Sequence, residues 1–305
     1  MIKQGNISTG QLFCLLMMSR ISMEIIYPTV FSNSPQEVLP MVIISEILCF
    51  LLALPLIIYS FHGKGFFCAL SSKSKLFGFS SAVLATLLLL CASVRTIIYT
   101  SEFVQRNLVS GVSSGVLCLI LLLFSLYVVF IGQEASARAG VLFLALATIV
   151  TILIVISDIQ YMKEYPYSIE FSLSTEELFR SSIVYTMRGG DYLIFAALLP
   201  YVNSTTQKSG KTVLLYALFS LVSNVLITIF SQIILRHLYG ETDYPFIAAA
   251  SLGNITLVKR LDVIGAGVWA LCAVMRSGIM LLSAVCIIKP LFKKKRNDDT
   301  GRAEA

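Results

Sequence analysis

Long blocks of apolar residues, separated by short polar segments, are the main pattern along this chain. Eight blocks reach about 20 residues, the length of helix that crosses the roughly 30 Å hydrocarbon core of a membrane. They do not alternate apolar and polar residues as the strands of a membrane barrel do. The pattern predicts an all-α, polytopic transmembrane bundle with spans at about residues 8–31, 37–60, 76–100, 109–131, 138–158, 183–202, 210–236 and 263–288.

Composition and charge agree with this prediction. Of the 305 residues, 57% are hydrophobic and only 13% are charged, against about 25% charged in ordinary soluble domains. Lys and Arg concentrate in the segments that lie inside if the N-terminus is inside, which predicts that both termini are cytoplasmic. We expect one transmembrane domain over residues 1–288 and a basic cytoplasmic tail over residues 289–305. The spread of the basic residues indicates no nucleic-acid partner.

The sixth block contains two adjacent glycines between opposite charges, Arg188-Gly189-Gly190-Asp191. Each glycine destabilises a helix by up to about 1 kcal/mol relative to alanine. One interpretation is a broken helix whose half-helix ends bind a charged ligand, as in secondary transporters. The other is that the glycines only allow a neighbouring helix to pack closely.

Further charges lie inside the predicted spans, where each costs about 2.5–3.5 kcal/mol on insertion scales. Arg20 and Glu24 are four residues apart and could form an ion pair on one helix face, or they could line a charged cavity. Glu46 lies in the second span. Arg95 and Arg276 follow similar short stretches that begin with cysteine. We expect Arg20, Glu24, Arg95 and Arg276 to form an intramembrane charge network.

The sequence contains no catalytic residue set, no metal-ligand spacing and no nucleotide-binding motif. We therefore expect neither an enzyme nor a bound metal or cofactor. Residues 238–258 are apolar around Tyr244-Pro245 but too short to span the membrane. We expect a short helix there, lying over the outer mouth of the bundle.

Several motifs, taken in their order, resemble the permease-like B subunit of spore germinant receptors, within the amino acid/polyamine/organocation transporter superfamily. The resemblance covers residues 6 to 288 and rests on Ile7-Ser8-x-x-Gln11-Leu12-Phe13 with Pro28, Gly132 through Arg138, Leu199-Pro200, Tyr244-Pro245, Arg260-Leu261-Asp262 and Trp269.

The resemblance implies a five-plus-five inverted repeat in which the first and sixth helices are broken and bind the ligand between them. It implies a location in the inner spore membrane and two other receptor subunits as partners. Two features depart from the family. The expected break in the first helix falls on Ile21-Ser22-Met23-Glu24, which lacks glycine, and we expect the last two of the ten helices to be absent.

The resulting hypothesis is a germinant-receptor subunit that binds a small nutrient such as an amino acid and triggers germination. The alternative is an amino-acid permease of the same fold, and the sequence does not separate the two. We expect the ligand to bind where the sixth helix is broken, at Gly189-Gly190. Ser19, Ser22, Arg188, Gly189, Gly190 and Asp191 would form the site. Asp191 would then pair either with a ligand amino group or with Arg188.

Overall fold

The computed structural model describes residues 7–28, 38–60, 66–67, 74–158, 175–203, 206–252 and 261–293. Within these ranges the chain is helical almost throughout and contains no β-strand. The helices are α1 (Thr9–Ile26), α2 (Val38–Ser60), α3 (Lys75–Asn107), α4 (Ser114–Ile131), α5 (Gln133–Asp158), α6 (Thr175–Thr186), α7 (Asp191–Leu198), α8 (Thr206–Leu235), α9 (Pro245–Ala250) and α10 (Leu261–Lys293).

Seven of the described helices are long and apolar enough to cross a membrane, namely α1, α2, α3, α4, α5, α8 and α10. The predicted polytopic helical bundle is therefore confirmed. The count of eight spans is not, because the sixth block is divided into two shorter helices, α6 and α7. The orientation with both termini inside stays a prediction, and the basic tail from residue 294 lies outside the described residues.

Helices α1 and α10 form the centre of the bundle and are the most buried of the long helices, whereas α4 is the least buried. Helix α1 contacts α5, α8 and α10, and α10 contacts α3, α4 and α5. On α4 large apolar side chains such as Phe124, Tyr127 and Phe130 are exposed. Apolar residues on an exposed helix face are typical of contact with lipid.

Small residues bring α10 against α4. A Cβ atom on Gly278 would lie 2.5 Å from Cβ of Val128, so only glycine fits at this crossing. The hydroxyls of Ser125 and Ser277 are hydrogen-bonded to each other at the same place. Small residues and serine hydroxyls are common devices for joining helices in membranes.

The break that the resemblance implies in the first helix does not occur in α1. Helix α1 begins with a capping box between Ser8 and Gln11 and continues without interruption to Ile26. The physical reason is that α1 contains no glycine or proline after Gly10 in its first turn, so the stretch 21–24 has no strong helix breaker. The helix stops at Tyr27, just before Pro28, which lacks the backbone N–H needed to continue it.

The start of α1 and the end of α7 are joined by main-chain hydrogen bonds. The N–H of Ile7 donates to the carbonyl of Tyr201 at 3.1 Å, and the N–H of Asn203 donates to the carbonyl of Ile7 at 2.9 Å. This bridge closes the bundle at the end that we predict to face the cytoplasm.

The predicted short helix is confirmed at α9, which contains six residues and is too short to span. A 3₁₀ helix, Arg236–Glu241, precedes it. Most of α9 is buried, including Phe246 and Ala249, and it packs mainly on α8, α10 and α5. Residues 253–258 of the predicted segment lie outside the described residues.

Candidate functional site

The chain is unwound at residues 187–190, between the end of α6 and the start of α7. The predicted break at Gly189-Gly190 is thus confirmed. The N–H of Arg188 bonds to the carbonyl of Tyr185, and that of Gly189 to the carbonyl of Thr186, both at 3.0 Å. The following carbonyls are released from the helical pattern and need other donors.

Arginine side chains from two other helices bind these released carbonyls. Arg95 of α3 donates to the carbonyl of Met187 at 2.8 Å, and Arg276 of α10 donates to the carbonyl of Arg188 at 3.2 Å. Positive side chains are favourable at a helix C-terminus, where the helix dipole is negative. The two arginines with similar sequence contexts therefore hold successive residues of the same turn.

Asp191 is the first residue of α7 and is almost completely buried. Its carboxylate accepts a hydrogen bond from the Ser19 hydroxyl. The nearest guanidinium nitrogens lie 3.6 Å away, on Arg276, and 3.9 Å away, on Arg20. A carboxylate is also favoured at a helix N-terminus, so Asp191 is held by α1, α10 and its own helix.

Of the two predicted serines, one reaches the unwound turn. The Ser19 hydroxyl bonds to Asp191, whereas the Ser22 hydroxyl turns back to the carbonyl of Ser19 at 2.9 Å. Both are buried. A ligand role for Ser22 would require this local hydrogen bond to break.

Arg20 and Glu24 do not form an ion pair, which was one of the two alternatives for these residues. Arg20 pairs with Glu46 of α2, through Nε at 2.9 Å and through Nη2. Glu46 also accepts hydrogen bonds from Ser220 at 3.0 Å and Asn224 at 2.6 Å, both on α8. The physical reason is that the Glu46 carboxylate is buried and stabilised by these two further donors, while the Glu24 carboxylate accepts a hydrogen bond from Tyr185 instead.

The charge network thus differs in membership from the predicted one. Two arginines, Arg20 and Arg276, and two carboxylates, Glu46 and Asp191, form a buried and formally neutral chain across α2, α1, α7 and α10. Arg95 joins through backbone only. Sequence reasoning noted Glu46 as an intramembrane charge but gave it no partner.

Arg188 and Asp191 do not neutralise each other, which was one of the two expectations for this turn. Arg188 points to the opposite side from Asp191 and donates to the carbonyl of Pro28 at 3.0 Å. Its guanidinium carbon lies 4.8 Å from the ring centre of Tyr185 and 6.0 Å from that of Tyr27, within reach of cation–π attraction.

The two glycines are closely surrounded by side chains. A Cβ on Gly189 would lie 3.3 Å from Arg20 Nη1, and one on Gly190 would lie 3.2 Å from Met280 Cε. The helix is broken at the glycine pair and other helices also pack closely against it, so the break and the packing are both present, and ligand binding there stays a prediction. The ligand space that we expected beside Gly190 is filled by Met280.

A small cavity lies next to the unwound turn, on the side of Arg188. Its volume is about 20 Å³, enough for about one water molecule. Its lining combines polar and apolar side chains and consists of Glu24, Tyr27, Val38, Met41, Tyr185, Arg188, Ile227, Thr228, Ser231, Tyr239, Pro245 and Phe246.

Glu24 supplies the negative charge of this cavity. The Tyr185 hydroxyl donates a hydrogen bond to its carboxylate. Glu24 and Arg188 thus face one cavity from α1 and from the unwound turn, with tyrosines between them. Sequence reasoning assigned Glu24 to a structural pair or a cavity wall, and the structure agrees with the cavity wall.

Comparison with known families shows which family the chain belongs to. The model of the spore germination protein family, a permease family, matches residues 6–300 of this chain. The chain belongs to the spore germination protein family. The comparison with curated proteins gives no match. Family membership and the apolar helices make this an integral membrane protein, permease-like and related to germination, consistent with the inner spore membrane.

Proposed function

We propose that this spore germination protein is a non-enzymatic subunit of a germinant receptor that binds a small nutrient, such as an amino acid, and triggers germination. The observation that carries the proposal is the pair Glu24 and Arg188 on one cavity beside a broken helix. A free amino acid carries an ammonium and a carboxylate, and these charges match the two side chains. Broken helices hold substrate in the same way in transporters.

The cavity must widen before it can hold an amino acid, because its present volume suffices for about one water. The polar lining groups Tyr185 and Arg188 belong to the end of α6 and to the unwound turn. A small movement of this segment would open the cavity, and unwound turns without regular hydrogen bonding are the segments that move most easily. Ligand binding and helix movement are thereby linked.

The experiment uses a strain that carries the gene as its only functional copy. Spores are exposed to each of the standard amino acids, and germination is followed as loss of optical density over a range of concentrations. Arg188→Gln and Glu24→Gln should each raise the half-maximal concentration about tenfold or more, since a hydrogen bond to a charged group contributes about 1.5–3 kcal/mol. Immunoblots verify that each variant accumulates.

Arg180→Gln is the matched control, because Arg180 lies on the same helix α6 but is exposed. It should leave the dose-response unchanged. A normal dose-response in both cavity variants, at normal protein level, would contradict the proposed ligand site. Normal germination of the deletion strain with every amino acid would contradict the sensing role.

The permease alternative is favoured by the same break between α6 and α7. Uptake of radiolabelled amino acids into proteoliposomes that contain the purified chain tests it. Uptake by this chain alone, combined with normal germination of the deletion strain, would favour transport. Co-purification with the other receptor subunits from spore membranes would favour the receptor.

A further inference from the structure

The guanidinium of Arg276 lies within a set of oxygen atoms from three separate segments. Nη1 is 2.5 Å from the carbonyl oxygen of Ser19 on α1, and Nη2 is 3.2 Å from the carbonyl oxygen of Arg188 in the unwound turn. The carboxylate of Asp191 lies 3.6 Å from Nη1. The whole residue is buried, with no exposed surface.

Two carbonyls and one carboxylate beside a broken helix are the ligands that a hard cation prefers. Secondary transporters bind Na⁺ with unwound carbonyls and half-helix C-terminal ends, and carboxylate and carbonyl oxygens are the usual ligands of hard cations. The present oxygen set already surrounds a positive charge that is covalently attached to α10. A free cation would meet electrostatic repulsion from it.

Arg276 does not use all of its hydrogen-bond donors within the described part of the chain. This indicates that its positive charge is more important at this position than the number of hydrogen bonds it makes. Its Nε has no hydrogen-bond partner among the described residues, although an arginine kept for bonding alone would be expected to use all its donors when buried. The guanidinium instead donates to the two carbonyls and forms an ion pair with the carboxylate. These are the groups that would otherwise bind a cation.

We propose that the Arg276 guanidinium is a built-in cation that takes the position of a coupling ion between α1, the unwound turn and α7, so that the protein keeps its site without binding a monovalent cation. The inference applies equally to a sensor and to a permease and does not rest on the proposed ligand. It predicts that removal of Arg276 creates a cation site from the oxygen atoms left behind.

The test measures the thermal stability of the purified full chain in detergent. Trp269 is the single tryptophan of the chain, is buried, and lies two turns before Arg276 on α10, so its fluorescence reports unfolding of this region. The wild type, Arg276→Ala and Arg276→Lys are compared in sodium, potassium and choline chloride at equal ionic strength. Guanidinium chloride and the neutral isostere urea are added separately, on the order of 0.05 M, far below unfolding concentrations.

The wild type should have the same midpoint temperature in sodium as in choline. Arg276→Ala should lose on the order of 5 °C or more, and guanidinium or sodium should restore a good part of it while urea and choline do not. Arg276→Lys should retain most of the stability without added cations. Arg95→Ala is the control: it frees the carbonyl of the exposed Met187 and removes the contact of Arg95 with the Tyr27 ring, and it should show no cation-specific recovery.

Three results would overturn the proposal. They are stabilisation of the wild type by sodium over choline, an Arg276→Ala protein as stable as the wild type, and a destabilised Arg276→Ala protein that no cation restores. If Arg276→Ala does not accumulate, the larger neutral variant Arg276→Gln replaces it and the same criteria apply. The comparison of the wild type in sodium and in choline is made in either case. None of these readouts involves the nutrient, so failure here is distinguishable from failure of the proposed function.

Discussion

Substitution of Glu46 by leucine tests the buried charge network most directly. Glu46 accepts hydrogen bonds from Arg20, Ser220 and Asn224, and both Arg20 and Glu46 are almost fully buried. After Glu46→Leu, Asp191 supplies the only carboxylate within 4.0 Å of the Arg20 guanidinium among the described residues, at 3.9 Å. Removing one partner of a buried ion pair typically destabilises a protein by about 3–5 kcal/mol.

A double substitution separates the destabilisation caused by the unpaired charge from the destabilisation caused by altered packing. Arg20→Met with Glu46→Leu removes one positive and one negative charge, so Asp191 keeps Arg276 and the remaining network stays neutral. Replacing both partners of a buried pair by apolar residues is often neutral or stabilising. We therefore expect the double variant to be more stable than Glu46→Leu alone.

Thermal unfolding of the purified chain, followed by Trp269 fluorescence, measures the difference. Glu46→Leu should lower the midpoint temperature by on the order of 10 °C, from about 3–5 kcal/mol at about 2–4 °C per kcal/mol. The double variant should recover at least half of this loss. A double variant that is less stable than Glu46→Leu would refute the reasoning, because the ion pair would then not account for the effect.

Three further predictions concern packing, surface charge and topology. Gly278→Ala should destabilise by about 1–3 kcal/mol through overpacking against α4, whereas Gly267→Ala, with nothing within 4 Å of its Cβ position, should be neutral or slightly stabilising in the same unfolding assay. Asp243→Asn should change stability by less than about 1 kcal/mol, because both side chains of the ion pair between Asp243 and Arg106 are more than half exposed. A larger loss of stability that does not depend on salt would contradict this. Reporter fusions at residues 70 and 300 should both give a cytoplasmic signal, and an external signal from either would reverse the predicted orientation.

The sequence allowed prediction of the features that local composition determines. Apolar blocks of sufficient length predict spans because lipid leaves the backbone no other hydrogen-bond partners. The break at Gly189-Gly190 was predictable because two glycines and two charges in four residues weaken a membrane helix. The same rule explains the continuity of α1, because the stretch 21–24 lacks glycine, whereas the family resemblance implied a break there.

Partners across helices were not predictable, because they depend on how the helices rotate against each other. The spacing of Arg20 and Glu24 favoured a local pair, but α1 presents Arg20 to α2 and Glu24 to the cavity. Arg95 and Arg276 have similar roles, and the similar residues that precede them in the sequence were a weak indication of this. That signal did not reveal that both donate to consecutive carbonyls of one turn.

Arg188 connects the cavity to the buried network, and in the proposed receptor this connection would provide a physical route for signalling. Its side chain lines the cavity, while its own carbonyl accepts a hydrogen bond from Arg276. A ligand carboxylate that draws the Arg188 side chain into the cavity would also displace this carbonyl. Arg276 would then have to rearrange, and with it the contacts to Ser19 and Asp191. Because these contacts join α1, α7 and α10, a ligand in the widened cavity would affect the central helices of the bundle.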